Sequence, residues 1–203
     1  MGHLIGFGDR LEERAALGLG DGRPAFYFDL GCPFSYLAAE RVERLLGEVD
    51  WIPVSGDAFS ASSASKAEKR AASLRLPLVW PQRVPGAVPG AMRAATYAAE
   101  SGASARFALA AFRLAFCGGY DLDQVLGELA SAVGISRAGC LEAAADIARD
   151  PMLELTARAL SRRGVGHLPA FRLAGRFFQG EPALLAAAAA LRDKRHHSLA
   201  HSA

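Results

Sequence analysis

The sequence predicts an α/β chain: a central mixed β-sheet flanked by helices, with an all-helical domain inserted into it. Three observations carry that expectation. A β-α-β pattern opens near residue 25, an α-β-β-α pattern closes near residue 192, and residues 65–150 between them show helical periodicity without a convincing strand. At 203 residues the chain can hold one large domain or a smaller one with an insertion, and its core needs no disulfide or metal staple.

Residues 1–23 are Gly-rich and charged, and read as a loose extension with at most one short helix near Arg10–Leu17. Ala25-Phe26-Tyr27-Phe28-Asp29-Leu30 is a short apolar run rich in aromatics, the signal of a buried strand, and Gly31 ends it. Pro33 suits a first helical position, where its missing N–H would have had no partner. From Tyr36 onward Leu37, Ala38, Val42, Leu45 and Leu46 recur at helical spacing opposite Glu40, Arg41, Glu43 and Arg44, an amphipathic helix. Val49–Val54 reads as a second strand, parallel to the first because a helix joins them.

A Ser/Ala/Gly loop at 55–64 leads into helices predicted at Lys66–Leu74, Ala91–Ser101, Ala105–Phe116, Leu122–Val133 and Arg137–Ile147. The proline-punctuated stretch from Pro77 to Pro89 carries Trp80. Asp150-Pro151 supplies a cap and a first-turn proline for a helix to about Arg162. His167-Leu168-Pro169 then precedes the strand Ala170–Ala174, and a turn at Gly175-Arg176 returns Phe177-Phe178-Gln179 as a hairpin. Glu181-Pro182 opens a last helix to about Leu191, followed by a polar tail expected to be mobile. The expected organisation is an extension (1–23), a sheet-bearing domain (24–58 and 151–192), an inserted helical domain (59–150) and a flexible tail (193–203). With the insertion removed, the order of elements is that of the thioredoxin fold.

Composition narrows the function. The chain is 51% hydrophobic and 22% charged with a formal net charge of +2, and its basic residues are scattered rather than gathered with aromatics, so no nucleic-acid partner is expected. No stretch is long and apolar enough to span a membrane, and early charges at Asp9, Arg10, Glu12, Glu13 and Arg14 interrupt any export signal. Three distant cysteines do not form a secreted disulfide framework, so a cytoplasmic protein with reduced thiols is expected. His196, His197 and His201 lie in the tail without a carboxylate or cysteine framework, and no metal is expected.

The chemistry points to Cys32. It follows a buried strand at the mouth of a helix, where unpaired N–H groups favour an anion. A free thiol of pKa about 8.5 is only about 3% ionised at pH 7, and such a position lowers that value. A free cysteine is more commonly a small buried hydrophobe, but the strand–Gly–Cys–Pro–helix context favours the reactive reading. Ser35 stands where a redox motif carries its second cysteine; it can donate to the Cys32 sulfur or support the first helical turn, but it forms no disulfide. Pro169 opens a strand and is compatible with a cis bond or with an ordinary trans one. In this fold its loop faces Cys32, and Leu168 would offer a strand-like edge to a peptide-like ligand. His167 could reach the sulfur or cap the loop; Trp80 and Arg93 could line a substrate cleft, or be a core ring and a solvated charge. Cys117 and Cys140 read as buried and inert.

Phe26-Tyr27-Phe28-Asp29 with Cys32-Pro33-Phe34-Ser35-Tyr36-Leu37-Ala38 resembles the opening of the DsbA-like superfamily, above all 2-hydroxychromene-2-carboxylate isomerases and kappa-class glutathione transferases. The resemblance continues through Leu76-Pro77-Leu78-Val79-Trp80-Pro81, Arg113-Leu114-Ala115-Phe116, Asp121-Leu122-Asp123 and Gly164-Val165 to Leu168-Pro169-Ala170-Phe171. It implies a catalytic Cys32, a cis-proline at Pro169, bound glutathione near Pro33, Phe34 and Gly180, a small hydrophobic or aromatic substrate, and often a homodimer. The chain departs from the glutathione users or from DsbA at three places. Cysteine stands at 32 where the isomerases carry serine, Ser35 lacks the DsbA partner cysteine, and Glu181-Pro182 replaces the pair that receives the γ-glutamyl end. Pro182 removes a donor there, and Glu181 would repel the γ-glutamyl carboxylate while attracting its ammonium. The expectations are therefore a monothiol oxidoreductase exchanging with glutathione or another thiol or disulfide, a glutathione-dependent isomerase or transferase, or a non-catalytic binding module on the same scaffold.

Overall fold

The computed structural model describes residues 7–19, 22–59, 63–81 and 87–200, with the backbone only for 7–9 and 195–200. His201 and the side chains of His196 and His197 lie outside the described residues. Strand β1 (Ala25–Phe28) runs parallel to β2 (Asp50–Pro53) and antiparallel to β3 (Ala170–Leu173), which pairs antiparallel with β4 (Arg176–Gln179). The sheet order is β2-β1-β3-β4, a mixed thioredoxin-like sheet.

Strand alternation divides the core in two. Phe26 and Phe28 face one side with Trp51 and Phe171, while Ala25 and Tyr27 face the other with Leu17, Leu160 and Leu168. Helices cover both faces, which is why β1 is apolar at every position. Phe26 stacks on Phe171 with centroids 5.6 Å apart and meets Trp51 edge-on at 4.9 Å.

The helical block comprises α4 (Ala64–Leu74), α5 (Pro89–Glu100), α6 (Ser104–Phe116), α7 (Leu122–Ala132) and α8 (Arg137–Ala145), each within two residues of its predicted start and end. Phe28 of β1 meets Phe112 of α6 edge-on at 5.8 Å. One continuous core therefore runs from the sheet into the block. After the block, α9 (Asp150–Ser161) leads back to β3.

Three elements differ from expectation. Of the expected N-terminal extension, residues 7–19 and 22–23 are described, and the one helix allowed there is docked and not loose: α1 (Phe7–Ala16) packs on α9, and Leu17 is fully buried. Tyr27 Oη donates to the Leu17 carbonyl at 2.8 Å, Arg172 donates to that of Gly18 at 2.9 Å, and Arg162 pairs with Glu13. The predicted single helix after Cys32 is two, α2 (Pro33–Ala39) and α3 (Val42–Leu46). Arg41 leaves helical geometry at φ −132°, and its N–H closes back on Ala38 at 2.9 Å. Ion pairs hold the break open, Glu40 with Arg113 and Arg41 with Glu181. The last helix, α10 (Ala183–Ala200), continues past Leu191 into the predicted tail as far as Ala200, with no Gly or Pro on the way to stop it.

Phe28→Ala should lower the unfolding free energy by about 3–5 kcal/mol, read as a shift in the urea midpoint. A loss below about 1 kcal/mol would contradict a core shared between sheet and helical block.

Candidate active site

Cys32 is the N-cap of α2, in extended backbone (φ −94°, ψ 113°), with Pro33 at the first helical position. Its N–H donates to the Asp29 carbonyl at 3.1 Å, and its own carbonyl accepts the Tyr36 N–H at 3.2 Å, so the residue is fastened on both sides. The amides of Phe34 and Ser35 open the helix, where no intrahelical carbonyl awaits them. Cys32 is half-buried, and Sγ lies 3.9 Å from the Leu168 carbonyl oxygen, a long sulfur hydrogen bond. The Leu168–Pro169 peptide bond is cis. The thiol and the proline loop meet because β1 and β3 are antiparallel neighbours: the end of one strand and the start of the other share one edge of the sheet.

Ser35 is fully buried, and its hydroxyl accepts the Asp29 N–H at 3.5 Å, a weak bond that serves the turn. Pro33 is buried and Phe34 half-buried beside it. His167 is exposed on the approach to the loop, and the contact the sulfur makes on this loop is with the next residue's carbonyl.

Two expected site residues have other employment. Arg93 is neither a cleft residue nor a solvated charge. Its Nε and Nη2 each bond Asp150 at 2.7 Å, and Nη1 reaches the Ala144 carbonyl at 3.2 Å, clasping α5 to α9. This partner keeps the Asp150 carboxyl below its ordinary range. Glu181 does not await an incoming ammonium. Its side chain is fully buried and bound by Arg70 (Nε to Oε2, 2.5 Å; Nη2 to Oε1, 3.2 Å) and by Arg41. Gly180, just before it, donates its N–H to the Pro169 carbonyl at 2.7 Å. The ion cluster thus sits one residue beyond a direct bond to the proline loop.

Trp80 is half-buried, donating to Glu68 at 2.8 Å and meeting Phe116 edge-on, and Phe116 stacks on Tyr36. Tyr36 Oη donates to the Pro77 carbonyl at 2.8 Å and lies 3.2 Å from Cys117 Sγ. Burial first, and Cys117 second, push the Tyr36 phenol far above its usual range. Cys117 is thus half-buried and hydrogen-bonded, not sealed in apolar surroundings. Cys140 is buried, with its thiol pushed up by that burial.

Sequence reasoning missed Arg41, Arg70, the Tyr36–Cys117 contact and Asp29. Asp29 is 8% exposed, and burial pushes its carboxyl up to about 6 against the pull of two backbone N–H bonds. Only its place three residues before Cys32 could have drawn attention. Among the described residues no helix is long and apolar enough to cross a membrane, and no cluster of three His, Cys, Asp or Glu is placed to hold a metal.

A four-stranded sheet of this order, with a Cys-Pro helix start set against a proline loop, defines a thioredoxin-fold protein. Residues 25–192 match the DSBA-like thioredoxin domain, and the chain belongs to that family. No curated protein matches it in sequence. Among solved structures it is similar to a 2-hydroxychromene-2-carboxylate isomerase (TM-score 0.73, 18% identity, 89% of this chain and 99% of that one). It is also similar to a probable DsbA oxidoreductase from Streptomyces coelicolor (0.65, 19%, 84% and 90%). The thiol-disulfide exchange protein alpha-DsbA2 from Wolbachia pipientis is a third (0.55, 15%, 93% and 98%). At these identities the likeness is one of fold.

Glu181→Gln leaves two guanidiniums facing each other with a neutral partner, and should cost about 3 kcal/mol of stability. Thermal and urea unfolding measure it; an unchanged midpoint would show that the cluster contributes nothing net.

Proposed function

We propose that the chain performs thiol–disulfide exchange through Cys32 acting as a monothiol. The observation that carries this reading is the placement of Cys32 at a helix start, half-buried and 3.9 Å from the Leu168 carbonyl. The Cys32 thiolate attacks one sulfur of a disulfide-bearing peptide or small disulfide. A Cys32–S bond forms, the substrate S–S bond breaks, and the departing thiolate takes a proton from solvent. Ser35 cannot attack the mixed disulfide, so an external thiol such as glutathione attacks the substrate-side sulfur. Cys32 leaves as thiolate, and the substrate departs as a disulfide with that thiol. The backbone at Leu168 and Pro169 would hold the substrate in extended form beside the sulfur.

A second reading, a glutathione-dependent isomerase or transferase acting on a small aromatic substrate, draws on the fold likeness to the 2-hydroxychromene-2-carboxylate isomerase. Cysteine in place of serine at 32 weighs against it. So does the commitment of Glu181 to Arg41 and Arg70, which fills the neighbourhood of Gly180 with a paired charge cluster.

Reduced protein incubated with oxidised glutathione, and separately with a peptide disulfide, should gain one adduct at Cys32 by intact and peptide mass spectrometry. Dithiothreitol should reverse it, and Cys32→Ser should abolish it. Non-covalent binding of reduced glutathione to a protein that forms no adduct would replace this reading with the isomerase one. Absence of both would leave a binding module.

A further inference from the structure

The turn that carries Cys32 is tied together by one residue. Asp29 Oδ1 accepts the Gly31 N–H at 2.6 Å, and Oδ2 accepts the Gly56 N–H at 2.7 Å, joining the turn after β1 to the segment after β2. Its backbone carbonyl accepts the Cys32 N–H at 3.1 Å, and its N–H donates to Ser35 Oγ at 3.5 Å. Three bonds thus run from Asp29 into the segment holding the thiol, and a fourth ties it to Gly56. Gly56 is shaped to this contact: a Cβ there would come within 2.8 Å of Asp29 Oδ2.

Glu181, the other buried carboxylate among the described residues, is neutralised by the guanidiniums of Arg41 and Arg70. Asp29 is held by backbone amides instead, and the charged groups around it are mostly of its own sign. Asp57 from the turn after β2, with Asp150 and Glu154 from α9, lines the same cavity of about 130 Å³ together with Met92 and Leu153. Arg93 of α5 is occupied with Asp150. Burial, seconded by Asp57, brings the Asp29 carboxyl to about 6, within reach of ordinary pH change. Asp29 itself lines that cavity.

We propose that Asp29 is a positioning residue whose proton governs Cys32: the ionised carboxylate locks Gly31 and Gly56 and so presents the thiolate, and protonation loosens the turn. This rests on the reading of Cys32 as the nucleophile. Protonation exchanges one acceptor oxygen for an O–H that faces a backbone donor, so one of the two amide bonds is lost. The ionised form also opposes thiolate formation nearby, since like charges disfavour each other. The two consequences are separable. Losing the lock lowers the rate of the thiolate itself; losing the charge moves the thiol's titration to lower pH.

The test is the rate of Cys32 alkylation by neutral iodoacetamide against pH, read by mass spectrometry on the Cys32 peptide. The thiolate forms a C–S bond and iodide leaves. The wild-type curve should show the thiol's own rise multiplied by a second step centred near 6, the Asp29 range. Asp29→Asn should lose that step, shift the thiol midpoint downward, and lower the plateau rate roughly tenfold. Gly56→Ala, which displaces the carboxylate but keeps its charge, should lower the plateau and retain a step. If Asp29→Asn does not fold by circular dichroism, Gly56→Ala decides, and a wild-type plateau there overturns the proposal. A reactive Cys32 with a single inflection in the wild-type chain, or a step that survives in Asp29→Asn, overturns the role of Asp29 and leaves the nucleophile standing. A thiol inert across the whole range overturns both.

Discussion

The antiparallel pairing of β1 with β3 is the constraint on which the rest of the structure depends. Phe26 opposite Phe171 and Tyr27 opposite Ala170 fix a register in which β1 ends where β3 begins. Whatever follows β1 must therefore meet whatever precedes β3, and those are Cys32 and Leu168-Pro169. A slip of one residue would turn Phe26, Phe28 and Phe171 out of the core, so the apolar pattern that builds the sheet also fixes the site. Two hydrophobic layers hold the pairing from opposite sides, and the second draws in Leu17 from the N-terminal segment.

Around that constraint the chain treats its buried carboxylates in two ways. Glu181 is neutralised by Arg41 and Arg70, and the half-buried Asp150 by Arg93 in the same manner, and these pairs fasten helices to one another. Asp29, just after β1, has its carboxylate held by the backbone amides of Gly31 and Gly56 and keeps a proton affinity near the physiological range. The first arrangement makes charge structural; the second leaves it able to respond. The break between α2 and α3 serves the first, since it delivers Arg41 to Glu181 across 140 residues of sequence.

Much of the fold was legible because it is written in short-range periodicity. β1 announces itself as an aromatic run, the helical block by apolar spacing, and the Cys32–Pro33 helix start by proline chemistry. What was not legible depends on partners distant in sequence. Nothing near Arg93 says that Asp150 is its counterion, and nothing near Glu181 names Arg41 and Arg70. The N-terminal segment looked loose because its anchors are carbonyls at Leu17 and Gly18, which every residue possesses; the donors, Tyr27 and Arg172, lie inside strands. Asp29 was hidden for a similar reason: its partners are glycine amides, invisible in a pattern of side chains.

The central claim is that the fold presents the Cys32 sulfur as an anion at the start of α2. Ultraviolet absorbance of the thiolate, titrated in the reduced protein and in Cys32→Ser, isolates that sulfur by difference. The account predicts a midpoint well below the free-cysteine value of about 8.5. A midpoint at or above it would contradict the account.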